Sequence, residues 1–338
     1  MKNTFLSSKR FAVPSLVAVL SGLAFSAFLS HTGMVAAQAW PVRPIKLVIP
    51  FPPGGTTDIV GRITADRLGR ELGQPVIVEN RGGGGGSIGA AEIAKATPDG
   101  YTIGMATVST HAVNPACNPK LGYDPIKDFQ PITNLAHTAN VIVVHPKVPA
   151  NDIKELVALL KKNPGKYSYA TSGTCGIAHM MGEQFKVSTG TFITHIPYRG
   201  SGPALNDTLA GQVEIMLDNL PSSIPHIQAG KLRALAIANS KRLEAFPNVP
   251  TYAELGLKEM NDPAWYGLIA PAGTPRDIVM KIQAAANKVV FSADIAKRLR
   301  DAGAEPIGNT PEQFAEEIRK EKDKMATLVK RQNIKFEQ

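Results

Sequence analysis

The chain has 338 residues, of which 43% are hydrophobic and 19% are charged, with 30 Gly and 26 Pro. This composition excludes a disordered chain, and so many Gly and Pro residues argue against a coiled coil or a helical bundle. The formal net charge of +9 is not concentrated in a Lys/Arg block, so we expect a soluble surface and no nucleic acid partner.

Residues 1–39 have the pattern of a secretory signal peptide. Three basic residues within the first ten precede an apolar stretch from Phe11 to Leu29, and Ala37-Gln38-Ala39 matches the A-x-A cleavage pattern. We predict export with cleavage after Ala39; the alternative is a retained N-terminal anchor. The remaining chain has a net charge of +6, because residues 1–39 hold three basic and no acidic side chains.

Apolar runs alternate with helical spacings along the rest of the chain. The predicted strands are 45–49, 76–80, 101–106, 141–144, 168–171, 193–196, 214–217, 233–238 and 265–270. The predicted helices are 57–72, 87–96, 153–162, 178–187, 203–210, 222–229, 275–291 and 311–331. Repeated units of this kind predict an α/β fold with mostly parallel sheets flanked by helices.

Two Pro-rich stretches, Asn114–Pro131 and Phe246–Pro263, are predicted to be the seams between two domains. Two seams imply that the chain passes twice between the domains, so one domain is discontinuous. We predict that the first domain comprises residues 40–139 plus 263–338 and the second comprises residues 140–262.

The segment Pro50–Asp58 joins a predicted strand to a predicted helix and is the first candidate site. Ligands of open α/β sheets bind beyond the carboxyl ends of strands, and free N–H groups at a helix start attract anions. The two glycines of this segment allow a ligand to approach the backbone closely, and Thr56 and Thr57 add hydroxyl donors. The alternative is a plain tight turn in which Thr57 or Asp58 caps the helix.

Two later loops repeat this arrangement of small polar residues after a strand. They are Thr171–His179 and His195–Gly202. Arg199 in the second loop could pair with a carboxylate in a bidentate way, and the alternative is a structural ion pair. Asp218-Asn219 ends another predicted strand and could face the same space.

Catalysis is the alternative to binding. Gly85-x-Ser87-x-Gly89 matches the GxSxG pattern, and Cys175 lies four residues before His179, so an exported hydrolase using Ser87 or Cys175 is conceivable. However, the five glycines of 82–86 would hold a nucleophile poorly, and the small polar loops contain few acids and bases for bond breaking. We favour binding, and the spacing of the histidines predicts no metal site.

Cys117 and Cys175 are the two cysteines of the sequence and lie 58 positions apart. In an exported chain, such a pair predicts a disulfide bond. The alternative is two separate buried thiols.

Several strings, in one order, resemble the Bug, or TctC-like, solute receptors of tripartite tricarboxylate transporters. They include WPVRPIKLVIPFPPGGTTDIVGR, VIVENRGGGGGSIGA, YDPIKDFQPI, HIPYRGSGPALNDTLAGQV and WYGLIAPAGTP, and they span nearly the whole chain after residue 39. The resemblance implies the two-domain periplasmic-binding-protein (Venus flytrap) fold, with a ligand cleft between the domains. It also implies a periplasmic location, no enzymatic activity and no cofactor. It implies a small carboxylated solute and the membrane components of such a transporter as partners, and we expect a monomer.

The resemblance also implies a ligand site built by loops of both domains. Backbone groups and bridging waters would hold the carboxylate, with Phe51–Asp58 facing Ser172–Thr174. The candidate ligand-binding residues are Phe51, Pro53, Gly54, Gly55, Thr56, Thr57, Asp58, Thr107, Val108, Ser109, Ser172, Gly173, Thr174, His179, Arg199, Gly200, Ser201 and Asp218. Cys175 departs from the residue that is more usual after the Ser-Gly-Thr triplet, and the resemblance does not name the solute.

Overall fold

A computed structural model describes residues 40–118 and 120–334, together with Met1 and Thr4. The predicted signal peptide and its cleavage site lie outside the described residues, apart from Met1 and Thr4. Among the described helices, none is both long enough and apolar enough to cross a bilayer.

The described residues form eleven strands and ten α-helices. The strands are β1 (Ile45–Ile49), β2 (Val76–Asn80), β3 (Thr102–Thr107), β4 (Phe129–Thr138), β5 (Asn140–Val144), β6 (Ser168–Thr171), β7 (Thr194–Pro197), β8 (Ile215–Asn219), β9 (Arg233–Ala238), β10 (Ala264–Pro271) and β11 (Ala304–Pro306). The helices are α1 (Thr56–Leu72), α2 (Ser87–Ala94), α3 (Asn114–Cys117), α4 (Ile153–Lys162), α5 (Ile177–Thr189), α6 (Ser201–Leu209), α7 (Leu220–Gln228), α8 (Arg276–Val290), α9 (Ala293–Asp301) and α10 (Pro311–Arg331). Single turns of 3-10 helix cover Gly84–Gly86 and Lys258–Met260, and a π-helical turn covers Ser109–Val113.

The strands assemble into two sheets. One has six strands in the order β11-β4-β10-β3-β1-β2, and the other has five in the order β7-β6-β8-β5-β9. We call the residues around the six-stranded sheet the first lobe and those around the five-stranded sheet the second lobe. The central strand β10 is buried along its whole length, as are Val141 and Val143 of β5 in the core of the second lobe.

The strand directions are mixed, so the expectation of mostly parallel sheets is wrong in this detail. β1 runs parallel to β2 and β3, and β6 runs parallel to β7 and β8. The other five pairings among the described strands are antiparallel, and each involves β4, β5 or β10. These three strands flank the passages of the chain between the sheets, so no βαβ crossover imposes a parallel direction on them.

The chain passes from the first sheet to the second between β4 and β5, with Ala139 alone separating the two strands. The Pro-rich stretch Asn114–Pro131 therefore precedes the passage and does not form it. The return passage lies between β9 and β10, where Phe246–Pro263 is found. The assignment of residues 40–139 plus 263–338 and of residues 140–262 to two domains stays a prediction.

Candidate ligand-binding site

A cavity lies between the two lobes, at the carboxyl ends of their parallel strands. From the first lobe it is lined by Phe51, Gly55, Thr56, Thr57, Thr107, Val108, Ser109, Ala264 and Tyr266, and from the second lobe by Ser172, Ile177, Ser201 and Asn219. Its volume of about 20 Å³ is close to that of a single water-sized sphere. A solute of several heavy atoms can therefore enter only when the lobes separate.

Four helices begin at this cavity. The N-cap residues of α1, α5, α6 and α7 are Gly55, Gly176, Gly200 and Asn219, and none of these caps its helix with a side chain. Of the helices that begin away from the cavity, α4 is capped by Asp152 and α10 by Thr310, whereas α2, α3, α8 and α9 also lack a side-chain cap. Uncapped helix starts present backbone N–H donors and the positive end of the helix dipole. At α7 these donors are already engaged, because the Leu220 N–H donates to the Ala139 carbonyl, Pro221 has no N–H and the Ser222 N–H donates to Thr56 Oγ1.

The lining contains no Asp, Glu, Lys, Arg or His side chain. Within the lining, an anion could therefore be attracted only by backbone N–H groups and hydroxyls and not by a cationic side chain. Such a site favours an anion that is held by N–H and O–H donors.

The loop before α1 is held by the buried carboxylate of Asp58. The Gly54 N–H donates to Asp58 Oδ2 at 3.1 Å, Arg62 Nε donates to Oδ1 at 2.8 Å, and Asn80 Nδ2 donates to Oδ1 at 2.9 Å. Asn80 Nδ2 also donates to the Phe51 carbonyl at 2.9 Å. The Gly54 N–H therefore bonds within the loop, while the loop presents Gly55 to the cavity.

Hydrogen bonds join the lobes on either side of the cavity. The hydroxyls of Thr56 and Ser222 lie 3.0 Å apart, and the Ser222 N–H donates to Thr56 Oγ1 at 3.3 Å. The Ile177 N–H, the first of α5, donates to Ser109 Oγ at 3.0 Å. The starts of α1, α5 and α7 thus each contact a hydroxyl of the opposite lobe, so the lobes are closed on each other.

Asp218 lies beneath the second-lobe wall and is 2% exposed. Its Oδ1 accepts from Ser201 Oγ at 2.8 Å, and its Oδ2 accepts from Ser222 Oγ and Ser223 Oγ at 2.7 Å each. Burial raises the pKa of Asp218, and the hydroxyl donors together with the Asn219 N–H act in the opposite direction. Asp218 therefore orients the serines instead of lining the cavity.

Glycines form the places where the lobes touch around the cavity. A Cβ on Gly200 would lie 2.6 Å from Pro52 Cδ, and a Cβ on Gly85 would lie 2.3 Å from the Thr174 carbonyl oxygen. Gly173 has a φ of +140°, and a Cβ there would lie 3.2 Å from Gly85 Cα. These positions need glycine because backbone meets backbone, or a proline ring, across the lobes.

The structure brings half of the predicted binding residues together. Those that line the cavity are Phe51, Gly55, Thr56, Thr57, Thr107, Val108, Ser109, Ser172 and Ser201. Those that lie outside the lining are Pro53, Gly54, Asp58, Gly173, Thr174, His179, Arg199, Gly200 and Asp218. Arg199 is exposed, whereas Asp58, His179 and Asp218 are buried behind the loops. The binding role of each individual residue stays a prediction.

Ile177, Ala264 and Tyr266 line the cavity but were not predicted to do so, whereas Asn219, which the sequence expected to face this space, is also in the lining. Tyr266 reaches the cavity because β10 pairs with β3 in a register that sets Tyr266 opposite Thr107. Burial raises the pKa of the Tyr266 hydroxyl, which therefore stays protonated. The only sequence signal for Tyr266 was an aromatic residue near the start of a predicted strand.

His179 supports the loop that carries Ser172. Its Nδ1 accepts from the Cys175 N–H at 3.1 Å, and its ring stacks on His195 with the ring centroids 3.7 Å apart. Burial, with a contribution from the charge of Lys186, lowers the pKa of His179 to about 4. The imidazole is therefore neutral near pH 7.

The predicted disulfide between Cys117 and Cys175 is confirmed, with the two Cα atoms 6.0 Å apart. It connects α3 of the first lobe to the second-lobe loop before α5. Because Cys175 is bonded, it is no thiol nucleophile in this form.

Ser87 is the first residue of α2, and within residues 40–118 and 120–334 no hydrogen bond joins it to a histidine or a carboxylate. In the same part of the chain, no group of three or more His, Cys, Asp or Glu is placed to hold a metal ion.

Comparison with known proteins decides the family. Residues 60–334 match the TctC family, described as "Tripartite tricarboxylate transporter family receptor".

The chain belongs to the TctC receptor family.

Protein BugT of Bordetella pertussis is 37% identical to this TctC receptor over 313 residues, which cover 91% of this chain and 96% of BugT. A solved structure of a periplasmic transporter is 58% identical to this chain, with a TM-score of 0.87. The match covers 88% of this chain and 99% of that structure. An R. palustris protein solved with adipate is 35% identical, with a TM-score of 0.84 and coverage of 88% of this chain and 99% of that one. MatC from Rhodopseudomonas palustris, solved with bound malate, is 33% identical, with a TM-score of 0.83 and coverage of 86% and 100%. The two-domain periplasmic-binding-protein fold predicted for this receptor is thereby confirmed.

Proposed function

We propose that this receptor captures a small carboxylated organic solute in the cavity between its lobes and delivers it to the membrane components of a tripartite tricarboxylate transporter. The observation that carries the proposal is the meeting of the starts of α1, α5 and α6, which have no side-chain caps, at a cavity that lacks charged side chains. A carboxylate accepts bonds from such N–H groups and from hydroxyls, directly or through water.

The relatives support this ligand class. Adipate and malate, which the two R. palustris proteins hold in their solved structures, are both small carboxylates. The transporter partnership follows from the description of the family. The signal pattern of residues 1–39 and the periplasmic relative support a location in the periplasm, with cleavage after Ala39.

We also propose that the receptor binds without turnover. The cavity lining offers hydroxyls, one amide and backbone groups, which hold a ligand but supply no general base near neutral pH. The competing function is an exported hydrolase that uses Ser87. It is disfavoured because Ser87 lies outside the cavity lining, at the start of α2.

The test is a thermal-shift screen followed by calorimetry on the exported protein, over dicarboxylates, amino acids and aromatic acids. Each acid is paired with its neutral amide. We expect one class of acids to stabilise the protein, its amides to bind at least tenfold more weakly, and the acid to be recovered unchanged. Absence of binding by every acid would overturn the proposal, and ester cleavage that is lost in Ser87→Ala would establish the hydrolase.

A pair of isosteric variants on α1 locates the site. Thr57→Val removes a hydroxyl from the cavity lining, whereas Thr64→Val removes a buried hydroxyl that bonds to the Val60 carbonyl, away from the cavity. We expect Thr57→Val to weaken binding by about fivefold and Thr64→Val to leave it unchanged. Equal effects of the two variants would place the ligand elsewhere.

A further inference from the structure

The hydrogen atoms around Asp218 determine what Ser201 offers to a ligand. Asp218 Oδ1 can accept a hydrogen bond from Ser201 both when the carboxylate is ionised and when its proton lies on Oδ2, the oxygen that faces Ser222 and Ser223. A serine hydroxyl has a single hydrogen to donate. Ser201 Oγ donates that hydrogen to Asp218 Oδ1 at 2.8 Å. What remains on Ser201 Oγ is a pair of acceptor sites.

Ser201 presents these acceptor sites next to the start of α1. It lines the cavity, and its Oγ lies 3.8 Å from the position that a Cβ on Gly55 would take. The N–H groups at the start of α1 are donors, so a donor group and an obligate acceptor stand side by side across the lobes. A carboxylate oxygen placed against Ser201 Oγ would set lone pairs against lone pairs.

The same reasoning removes Thr56 as a donor to the ligand. Ser222 Oγ has two acceptors in its own lobe, Asp218 Oδ2 at 2.7 Å and the Asn219 carbonyl at 2.9 Å, and gives its one hydrogen to them. Thr56 is therefore the donor where the two hydroxyls meet at 3.0 Å. Thr56 Oγ1 in turn accepts from the Ser222 N–H. On this side of the cavity, backbone N–H groups therefore donate and the Ser201 hydroxyl accepts.

We propose that the solute carries a hydroxyl or an amino group on the carbon beside its carboxylate, and that Ser201 accepts the hydrogen bond of that group. This inference rests on the proposed function, since it places the carboxylate at the start of α1. It assigns the substrate class as 2-hydroxy or 2-amino acids, and it makes Asp218 a positioning residue that keeps Ser201 an acceptor. A 2-oxo acid has nearly the same size but offers only lone pairs to Ser201, and is rejected for that reason.

The test compares pairs of acids that differ only at the second carbon, with calorimetry on the exported protein. The probes are lactate against pyruvate, 2-hydroxyglutarate against 2-oxoglutarate, and mandelate against benzoylformate. In each pair that binds, we expect the hydroxy acid to bind at least tenfold more tightly than the oxo acid. Equal binding, or tighter binding of the oxo acid, overturns the inference and leaves the proposed function standing; absence of binding by any acid, including those of the wider screen, overturns both.

Three variants test whether Ser201 and Asp218 cause the preference for hydroxy acids over oxo acids. In Ser201→Ala we expect the ratio of hydroxy to oxo affinity to fall to within about twofold, because no acceptor remains. Ser223→Ala is the matched control, since Ser223 also donates to Asp218 at 2.7 Å but is fully buried outside the cavity lining, and it should keep the ratio. In Asp218→Asn an amide N–H can donate to Ser201 and free its hydrogen for the ligand, so the ratio should fall or reverse. A merely structural role for Asp218 would weaken both acids equally, and an unchanged ratio in Ser201→Ala overturns the assignment.

Discussion

Two adjacent glycines in the first loop have different roles. Gly54 has a φ of +85°, is exposed, and would place a Cβ in open space. Gly55 has a φ of −85° and lines the cavity, and a Cβ there would lie 3.5 Å from the Cβ of Ser201. Gly54 is therefore needed for the backbone conformation of the loop, whereas Gly55 is needed for the space beside it.

Alanine at these two positions should separate stability from binding. We expect Gly54→Ala to lower the free energy of unfolding by about 1 kcal/mol, because the left-handed backbone is unfavourable for a residue with a Cβ. We expect Gly55→Ala to unfold like the parent protein but to bind the solute at least fivefold more weakly, since its methyl group takes up cavity space. Urea denaturation and calorimetry measure the two effects, and a loss of affinity in Gly54→Ala alone would contradict the assignment.

Buried histidines predict the response of the fold to acid. Burial lowers the pKa of His111 to about 3, and it also dominates the lowering of the pKa of His179 to about 4. The pKa of a histidine in the unfolded chain is about 6.5, so between about pH 6.5 and 4 the unfolded state binds more protons than the folded state. These residues contribute stability above pH 6.5, and that contribution is lost as the pH falls.

The expected result is a thermal midpoint that falls progressively between pH 6.5 and pH 4. His179→Gln keeps an acceptor for the Cys175 N–H but removes one titrating group. The slope of the unfolding free energy in this range should then decrease by up to about 1.4 kcal/mol per pH unit. A slope identical to that of the parent protein would show that His179 titrates normally in the fold.

At the scale of elements, the run of five glycines is an interface between lobes. Gly83 to Gly86 all have positive φ, and Gly84–Gly86 form a single 3-10 turn. Asn114 Nδ2 donates to the Gly85 carbonyl at 3.0 Å and so holds the turn in place. Because Gly85 has no side chain, the turn can lie against the Thr174 carbonyl of the second lobe.

Gly85→Ala should therefore impede closure of the lobes. Its Cβ would lie 2.3 Å from the Thr174 carbonyl oxygen, which is backbone and cannot swing away. We expect at least a tenfold loss of solute affinity, or about 1.4 kcal/mol, because the solute needs the contacts of both lobes. Gly190→Ala is a matched control, since Gly190 has a φ of +61° against +60° for Gly85 but has open space around its Cβ position. Equal affinities of the two variants would show that this contact does not limit closure.

At the scale of the whole molecule, the disulfide is a third covalent connection between the lobes, beside the two passages of the chain. A disulfide keeps its Cα atoms within about 6.8 Å, so α3 and the loop that carries Cys175 cannot move apart. The bond between Ser109 and Ile177 lies on this tethered side. Opening is therefore expected at contacts away from the disulfide, such as that between Thr56 and Ser222.

Breaking this bond should widen the opening of the unliganded receptor. We expect the double variant Cys117→Ser with Cys175→Ser to have a larger radius of gyration than the parent without solute, by small-angle scattering, and the same radius with saturating solute. The loop of 58 positions also predicts a loss of about 4 kcal/mol of stability on the chain-entropy model. Thiol titration of the unfolded, unreduced protein is the control, where none should react; two reactive thiols would contradict the bridge.

The sequence by itself determined the elements whose pattern is local. The bounds of β1, β6 and α4 agree with the predicted ones, because a short apolar run or a helical spacing identifies each without reference to the rest of the chain. The capping box at Thr310 is also local, with Gln313 bonded to Thr310 in both directions. The family-specific strings predicted the two-domain fold, and the cysteine count predicted the disulfide.

Tertiary structure alone decided the features that depend on distant partners. β4 and β11 were not predicted, since β4 contains Pro131 and only its pairing with β10 makes it a strand. The antiparallel directions, the place of Tyr266 beside Thr107 and the position of Asp218 beneath Ser201 follow from register and from packing between segments far apart in the chain. A residue type can show that a loop has donors, but which of them face a cavity depends on the opposite lobe, because that lobe occupies the remaining space and accepts the remaining hydrogen bonds.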